Sequence, residues 1–295
     1  MTPPRRWSRP AVGPRASAGQ ALAANVQAAV GQINGNLRGS AEGRDSEYLH
    51  QLRVGLRRLR ATLRAFRPLL KKREAARFDR PLRELLHALG AARDWDVFCR
   101  SHQDSGLLRA AQDRSAQARR VARDLLRAAH VRATLRSVLS WSKTAPWRPE
   151  TDPDETVTVF ARRALRHLRE RLREDAAGIN WGDAERRHRV RIEVKRLRYG
   201  CECFAPAYPQ EAVRRFLKRL RALQRILGDL NDIAVQRRAL QELARVARFR
   251  RRAVAARARL VPRERALTAE LAQAWEEFES TKPFWRRSAA ARARG

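Results

Sequence analysis

Acidic residues are scarce in this sequence. Only 31 Asp and Glu accompany 65 Lys and Arg, which leaves a formal net charge of +34 over 295 residues. Self-repulsion of this size destabilises a compact chain unless counter-ions or a polyanion neutralise it, so the imbalance predicts a strongly anionic partner. Nucleic acid, inorganic polyphosphate and an acidic membrane surface are the candidates. Nearly all of the cations are arginines, whose planar guanidinium binds phosphate oxygens two at a time. Codon usage would explain the excess of Arg over Lys, but it does not explain the net charge.

Cysteine is also rare, and Cys99, Cys201 and Cys203 show no metal-ligand spacing. An odd count without a disulfide pattern suits a reducing cytoplasm, and we predict neither a metal nor another cofactor. No apolar run approaches the ~20 residues of a membrane span, so no membrane partner is expected. Residues 1–17 lack the apolar stretch of a signal peptide and are predicted to form a disordered basic tail.

Alternating strand patterns are missing as well. Apolar residues instead recur at steps of three and four, which predicts an all-α protein. A break at 143–155 divides the chain into two parts of about four helices each, predicted at 18–38, 47–67, 76–90 and 107–143, then 156–176, 185–204, 210–228 and 232–280. The predicted fold is two four-helix bundles related by an internal pseudo-two-fold axis. The bundles cover 18–145 and 156–286, with a linker at 146–155 and a second disordered tail at 287–295.

A gap-free repeat with an offset of 138 residues supports the two-part prediction. The segment HQLRVGLRRLR (50–60) returns as HRVRIEVKRLR (188–198), and the same offset pairs Phe66 with Phe204 and Asp94 with Asp232. On a helix the repeated apolar residues form a core face. A basic stripe lies beside that face at steps of three and four and consists of His50, Arg53, Arg57, Arg60 and Arg64 in the first copy and His188, Arg191, Lys195 and Arg198 in the second. Like charges at these spacings repel one another, so the absence of interleaved acids favours a ligand-binding stripe over a solvated face.

The next helix of each part has a similar design, and two adjacent basic stripes would form a charged groove. These further candidates are Arg80, Arg83 and His87, and then Lys218, Arg221 and Arg225. Asp94 and Asp232 each follow a Leu-Gly pair where one helix is predicted to stop, so we assign them to helix capping or to holding an arginine rather than to catalysis. The two repeated histidines are expected to begin their helices and to hydrogen-bond phosphate oxygens.

The repeated segments resemble the conserved-histidine α-helical domain, CHAD. The resemblance lies in HQLRVGLRRLRATLRAF, HRVRIEVKRLRYGCECF, LGAARD, LGDLND and the closing TKPFW, and it spans about residues 18–286. It implies an all-helical fold of two four-helix bundles, a basic surface with a central cavity, binding of inorganic polyphosphate and, in some members, association with polyphosphate granules. Members often accompany a triphosphate-tunnel hydrolase domain, whose Glu-x-Glu-x-Lys signature this sequence lacks. The second copy has Lys195 for Arg57 and Glu202 for Arg64, so we expect the first half to bind more strongly.

Three functions therefore compete. The leading one is non-catalytic binding of long-chain polyphosphate in a basic groove between the halves, in the cytoplasm or on granules. A nucleic-acid-binding protein is the alternative, because the charge would attract any phosphate backbone. The sequence shows no helix-turn-helix or zinc signature and no stacking aromatics in the groove. The third is an enzyme of polyphosphate metabolism with His50 or His188 as phospho-acceptor. No acid/base partner lies at a readable spacing from either histidine, so no catalytic residue is predicted.

Overall fold

The computed structural model describes residues 3–102, 104–144, 147–148 and 150–286, and over these residues the protein is helical. The predicted all-α class is confirmed. Two single-turn 3-10 helices, Arg67–Leu69 and Ala205–Ala207, follow α2 and α8. The α-helices of the described chain are α1 (Ala18–Glu42), α2 (Ser46–Ala65), α3 (Lys72–Ala88), α4 (Gly90–Ser101), α5 (Ser105–Arg127), α6 (Ala129–Lys143), α7 (Val157–Ala176), α8 (Ala184–Phe204), α9 (Gln210–Leu243) and α10 (Ala247–Glu279).

Two predicted boundaries between helices are wrong. The predicted helix 107–143 divides at Ala128, whose backbone is extended. The break predicted at 229–231 is absent, because α9 runs through it to Leu243 and α10 begins only at Ala247. The predicted break around Gly90 is present, although the unpredicted α4 follows it at once. The Leu-Gly pair at 227–228 caused the second error, because glycine costs only about 1 kcal/mol in a helix interior and the buried side chains of Leu227 and Leu230 offset that cost. Asp94 and Asp232 consequently lie inside α4 and α9, so the predicted N-capping role is wrong.

The core joins the two sequence halves. Phe66 and Phe204, which the repeat pairs, end the apolar faces of α2 and α8, and their ring centroids lie 5.0 Å apart. Phe160 of α7 stacks on Phe66 at 5.3 Å, and all three rings are fully buried in one continuous apolar cluster. Aromatic pairs in this distance range stabilise a core beyond their buried area. The pseudo-two-fold axis itself stays a prediction.

The repeated helices are fixed by close packing on their apolar sides. α1 packs along α2, α7 along α8, and α2 also contacts α8. At Gly55 of α2, an added Cβ would lie 2.8 Å from Ile33 Cγ1 of α1, so glycine allows the two helices to approach closely. Because α1 and α7 cover the apolar faces, the basic stripes of α2 and α8 are left for the remaining neighbours, which are α3, α4 and α9.

The amino-terminal segment is not a free tail from residue 3 onward, which corrects the prediction for residues 1–17. The backbone N–H of Arg5 donates to Asn36 Oδ1 at 3.0 Å, and Asn36 Nδ2 donates back to the Arg5 carbonyl at 2.8 Å. Trp7 lies 4.5 Å below the Arg58 guanidinium, and Val12 is buried. Small and polar residues on α1 provide the surface on which this segment lies. The predicted tail at 287–295 lies outside the described residues.

Candidate functional site

The packing of α2 against α8 brings the two predicted basic stripes together. The charge of Arg57 lowers the pKa values of Arg53 on its own helix and of Arg191 and Lys195 on α8, so these four cations are neighbours. We call Arg53, Arg57, Arg191 and Lys195 the central cluster. The sequence could place two of its members on each helix, whereas only the fold shows that the two pairs meet.

The central cluster combines burial with like charge. All four side chains are only partly exposed. Burial, followed by the charges of Arg191 and Arg57, lowers the pKa of Lys195 to about 7, and burial followed by Arg57 lowers that of Arg53 to about 10. Desolvation and like charge both oppose the charged forms, and an opposite charge nearby favours them. An anion in the cluster would therefore offset the repulsion among the cations and compensate part of the cost of their burial.

The hydrogen-bonding capacity of the central cluster is incompletely used. Among the described residues, none of its members forms an ion pair with an acid. Arg53 donates through Nη1 to the Leu86 carbonyl at 3.1 Å, while the Nε atoms of Arg57 and Arg191 are buried without any partner. Unpartnered buried donors are costly. The central cluster therefore combines unpaired positive charge with two unused donors.

The repeated histidines flank this cluster, although one turn further into their helices than predicted. α2 begins at Ser46 and α8 at Ala184, and the carboxylates of Asp45 and Asp183 cap the first backbone N–H groups. The backbone N–H groups of Glu47, Glu185 and Arg186 are therefore already satisfied within the protein. Burial is the first cause that lowers the pKa of both imidazoles, ahead of the neighbouring arginines, and neither imidazole makes a hydrogen bond with a described residue. Both stay available to a ligand.

Two acids border the central cluster without neutralising it through direct contact. The charges of Asp94 on α4 and Asp232 on α9 partly offset the lowering of the pKa values of Arg53 and Arg191 respectively, and the Asp232 charge acts on Asp94 in turn. Burial is the main cause that raises the pKa of Asp94. Neither carboxylate lies within ion-pair distance of a described cation, so their role of holding an arginine stays a prediction.

Several predicted site residues are neutralised by the protein itself. Asp79 of α3 accepts from Arg60 Nε at 2.8 Å and lies 3.4 Å from Arg64. On the other side Glu202 pairs with Arg198 at 2.5 Å and with Arg221 at 3.7 Å. Arg80 pairs with Glu84 at 3.0 Å and Arg225 with Glu270 at 2.5 Å, both near the surface. The inference that no acid interleaves with the stripes is therefore wrong beyond the central cluster. Asp79 and Glu270 reach their arginines from a neighbouring helix, whereas Glu84 follows Arg80 on α3 and Glu202 follows Arg198 on α8.

The three remaining candidates are exposed and have no ion pair with a described residue: Arg83, His87 and Lys218. On α3, Asp79 contacts Arg60 and the Leu86 carbonyl contacts Arg53, so the intervening Arg83 and the adjacent His87 lie along the edge of the central cluster. Lys218 lies one turn of α9 before Arg221, beyond Glu202, and is remote from the cluster.

Arg100 and Arg238 belong to the site and were missed from the sequence. The Arg100 charge lowers the pKa of His50, and the Arg238 charge lowers those of His188 and Arg191. Both arginines are exposed. They are separated by the repeat offset, 238 − 100 = 138. Extending the repeat comparison six residues past Asp94 and Asp232 would have found them.

The described residues contain no group of three or more His, Cys, Asp or Glu placed to hold a metal ion. None of the helices in this part of the chain is long and apolar enough to cross a membrane. Cys201 and Cys203 are buried, which raises the pKa of Cys203 to about 11 and raises that of Cys201 well above the ordinary value of a thiol.

Comparison with known proteins gives a consistent picture. A family model described as the CHAD domain matches residues 24–241. The crystal structure of the CHAD domain from the plant Ricinus communis is similar with a TM-score of 0.84 and 29% sequence identity, covering 96% of this chain and 98% of that chain. PptA from Streptomyces chartreusis has a TM-score of 0.72 at 18% identity, with 88% and 99% covered, a likeness of fold alone. No protein with a curated description matches the sequence.

Proposed function

We propose that this chain, which belongs to the CHAD domain family, binds long-chain inorganic polyphosphate at the central cluster and does not alter it chemically. The observation that carries the proposal is the combination of four half-buried cations without ion pairs and two orphaned guanidinium Nε atoms. Phosphate oxygens would supply the missing acceptors and the missing negative charge together. The family resemblance adds polyphosphate as the phosphate-rich ligand.

A chain-like ligand agrees better with the arrangement of charges than a single phosphate does. Cations continue from the central cluster along both helix pairs, to Arg83 and His87 on one side and to Arg100 and Arg238 at the ends. Repeated phosphates along one polymer can contact these groups in succession, and each contact releases condensed counter-ions. We also propose that the protein acts in the cytoplasm and that, through the bound polymer, it associates with polyphosphate granules.

Single-stranded nucleic acid is the alternative ligand, and the surface disfavours it. Proteins that bind single strands without sequence preference stack bases on aromatic side chains. Over the described residues, the exposed large apolar side chains are all valines. The electrostatic attraction to a phosphate backbone is present here, but every aromatic ring of the described residues is at least partly buried, which leaves little surface for stacking bases. A polymer of phosphate alone needs no such platform.

A competition assay at physiological salt tests the proposal. Labelled long-chain polyphosphate is bound to the protein and displaced with unlabelled polyphosphate, single-stranded RNA or duplex DNA at equal phosphate concentration. We expect polyphosphate to displace the label at least tenfold more effectively than either nucleic acid. Equal or better competition by RNA or DNA would replace polyphosphate by nucleic acid as the ligand. Shortening of the polymer or formation of phosphohistidine during the incubation would show an enzyme instead.

A further inference from the structure

A basic cavity that shares no residue with the central cluster lies in the carboxy-terminal half, between α7 and the segment that follows α10. Its volume is about 650 Å³, within the range of ~300–1,000 Å³ that is usual for small-ligand sites. We call it the α7 cavity. Six cations line it: Arg162, Arg166, Arg169 and Arg173 of α7, and Lys282 and Arg286 of the closing segment. The closing TKPFW motif thus forms one wall of the α7 cavity, and it contributes no residue to the central cluster.

The positive charge of the α7 cavity is only partly compensated. Two acids, Glu170 and Glu279, line it with the six cations, so four positive charges remain. Glu279 is engaged by Arg173 at 2.7 Å, and Arg169 Nη2 donates to its backbone carbonyl at 3.1 Å. These contacts join α7 to the end of α10. The other four cations make no ion pair with any described residue.

Two arginines of the wall have donors that no group of the described chain satisfies, and one acceptor, Glu279 Oε1, is likewise without a hydrogen-bond partner. The Nε atoms of Arg162 and Arg169 are buried without a hydrogen bond. Burial, followed by the charge of Arg173, lowers the pKa of Arg169. An anion inside the cavity would give these groups a counter-charge and would give the exposed Arg166 and Lys282 a common contact. Arginine side chains on successive turns of one helix can each present a planar fork to phosphate oxygens.

The arginine cluster on the α7 side of this cavity does not follow from the repeat. Ser17 and Thr156 precede α1 and α7, and a shift of 139 residues aligns the buried faces of these two helices. With this alignment the four arginines of α7 correspond to Ala23, Gln27, Val30 and Asn34 of α1. No cation stands at any of these α1 positions. A generally basic composition would have placed arginines on both helices, so the cluster on α7 is a local feature.

We propose that the α7 cavity is a separate binding site for a compact oligophosphate, with tripolyphosphate as its simplest member. About four negative charges match the four uncompensated cations. An inorganic ligand is favoured over a nucleotide because the aromatic side chain in the wall, Trp285, is only 4% exposed and offers no face on which a base could stack. The α7 cavity would bind a compact oligophosphate, whereas the central cluster would bind an extended polyphosphate. The protein would then hold two phosphate ligands of different length at two sites.

Calorimetric titration of the full chain with tripolyphosphate at about 0.15 M salt tests this site. The test variant is Arg166→Gln with Lys282→Gln, because both side chains are exposed and neither is in an ion pair with a described residue. The matched control is Arg171→Gln with Lys72→Gln, which removes the same two charge types from exposed positions outside the cavity. We expect one tripolyphosphate per wild-type chain, at least tenfold weaker binding by the test variant, and less than a twofold change in the control.

The outcomes separate this site from the central cluster. Arg57→Gln with Lys195→Gln is expected to keep tripolyphosphate binding, whatever its effect on the long polymer. Loss of tripolyphosphate binding in that variant, an equal loss in the matched control, or no loss in the test variant would each overturn the proposal. If the test variant melts at a lower temperature than wild type, Arg286→Gln replaces it in the titration. This substitution removes one exposed cation after α10 and leaves α7 unchanged, and weaker tripolyphosphate binding is again expected. Failure to bind long polyphosphate would refute the proposed function and leave this result standing.

Discussion

Lys195 makes polyphosphate binding sensitive to pH in a range where few other groups titrate. In the free protein its pKa is about 7 instead of 10.5, chiefly because of burial and then because of the charges of Arg191, Arg57 and Arg198. Asp232 opposes this shift from α9 without cancelling it. A polyanion in the central cluster favours the protonated amine, so its pKa returns toward the ordinary value on binding. Binding then takes up a proton, and affinity rises as pH falls.

The size of this effect follows from the two pKa values. If the pKa moves from about 7 in the free protein to about 10.5 in the complex, affinity falls about twofold from pH 6 to 7 and about fiftyfold from pH 7 to 9. Calorimetry in buffers of different ionisation enthalpy would measure the uptake of about 0.9 proton per site at pH 8. The imidazoles of His50 and His188, whose pKa values are lowered from 6.5, titrate below this window.

Lys195→Arg is the decisive variant, because Arg57 shows that the corresponding position of the first copy accepts arginine. Arginine keeps its charge throughout this pH range. The variant is therefore expected to bind at pH 7 at least as tightly as wild type and to lose most of the decline between pH 7 and 9. An unchanged pH profile in Lys195→Arg, or proton uptake near zero in wild type at pH 8, would refute the reasoning.

Three further predictions concern single positions. Arg57→Ala is expected to weaken polyphosphate binding by about tenfold or more. Arg60→Ala should reduce the affinity less, because Asp79 of α3 already neutralises Arg60. Equal losses of affinity in binding titrations of the two variants would contradict this ranking. His50→Gln with His188→Gln should still bind and should keep only the gain of about twofold in affinity from pH 7 to 6 that Lys195 supplies. Complete loss of binding would show a larger role for the histidines. Phe204→Ala should lower the free energy of unfolding by about 3–5 kcal/mol, because the ring is fully buried at the junction of the halves. Unfolding in denaturant measures this value, and a loss below about 1 kcal/mol would place the core elsewhere.

The sequence contains the information for the helices of the core and for the central cluster. The 3.6-residue apolar period places Leu52, Leu56 and Leu59 on one face of α2, and all three are fully buried. The same period places Arg53 and Arg57 beside that face. Helical periodicity is local information, and it is reliable over long amphipathic segments such as α2 and α8.

Helical periodicity does not predict which residues of different helices come into contact. Asp79 neutralises Arg60 from a different helix, 19 residues further along the chain, so no pattern within α2 shows which of its cations are free. The α7 cavity likewise needs Arg166 and Lys282 to meet across more than a hundred residues. The Leu-Gly pair before Asp232 predicts a helix end, but packing of the flanking leucines keeps α9 continuous. In each case tertiary contact, not local preference, decided the outcome.

The salt dependence of long-chain polyphosphate binding tests the central claim most directly. The variant Arg57→Gln, Arg191→Gln, Lys195→Gln removes the core of the central cluster, and the control Arg250→Gln, Arg251→Gln, Arg257→Gln removes three exposed cations of α10. The slope of log affinity against log salt counts the phosphate contacts that release counter-ions. We predict that the cluster variant has a slope smaller by about two to three and an affinity at least a hundredfold lower at physiological salt, with the control close to wild type. Equal effects of the two variants would show that the polymer binds through net charge alone and would contradict a defined site between α2 and α8.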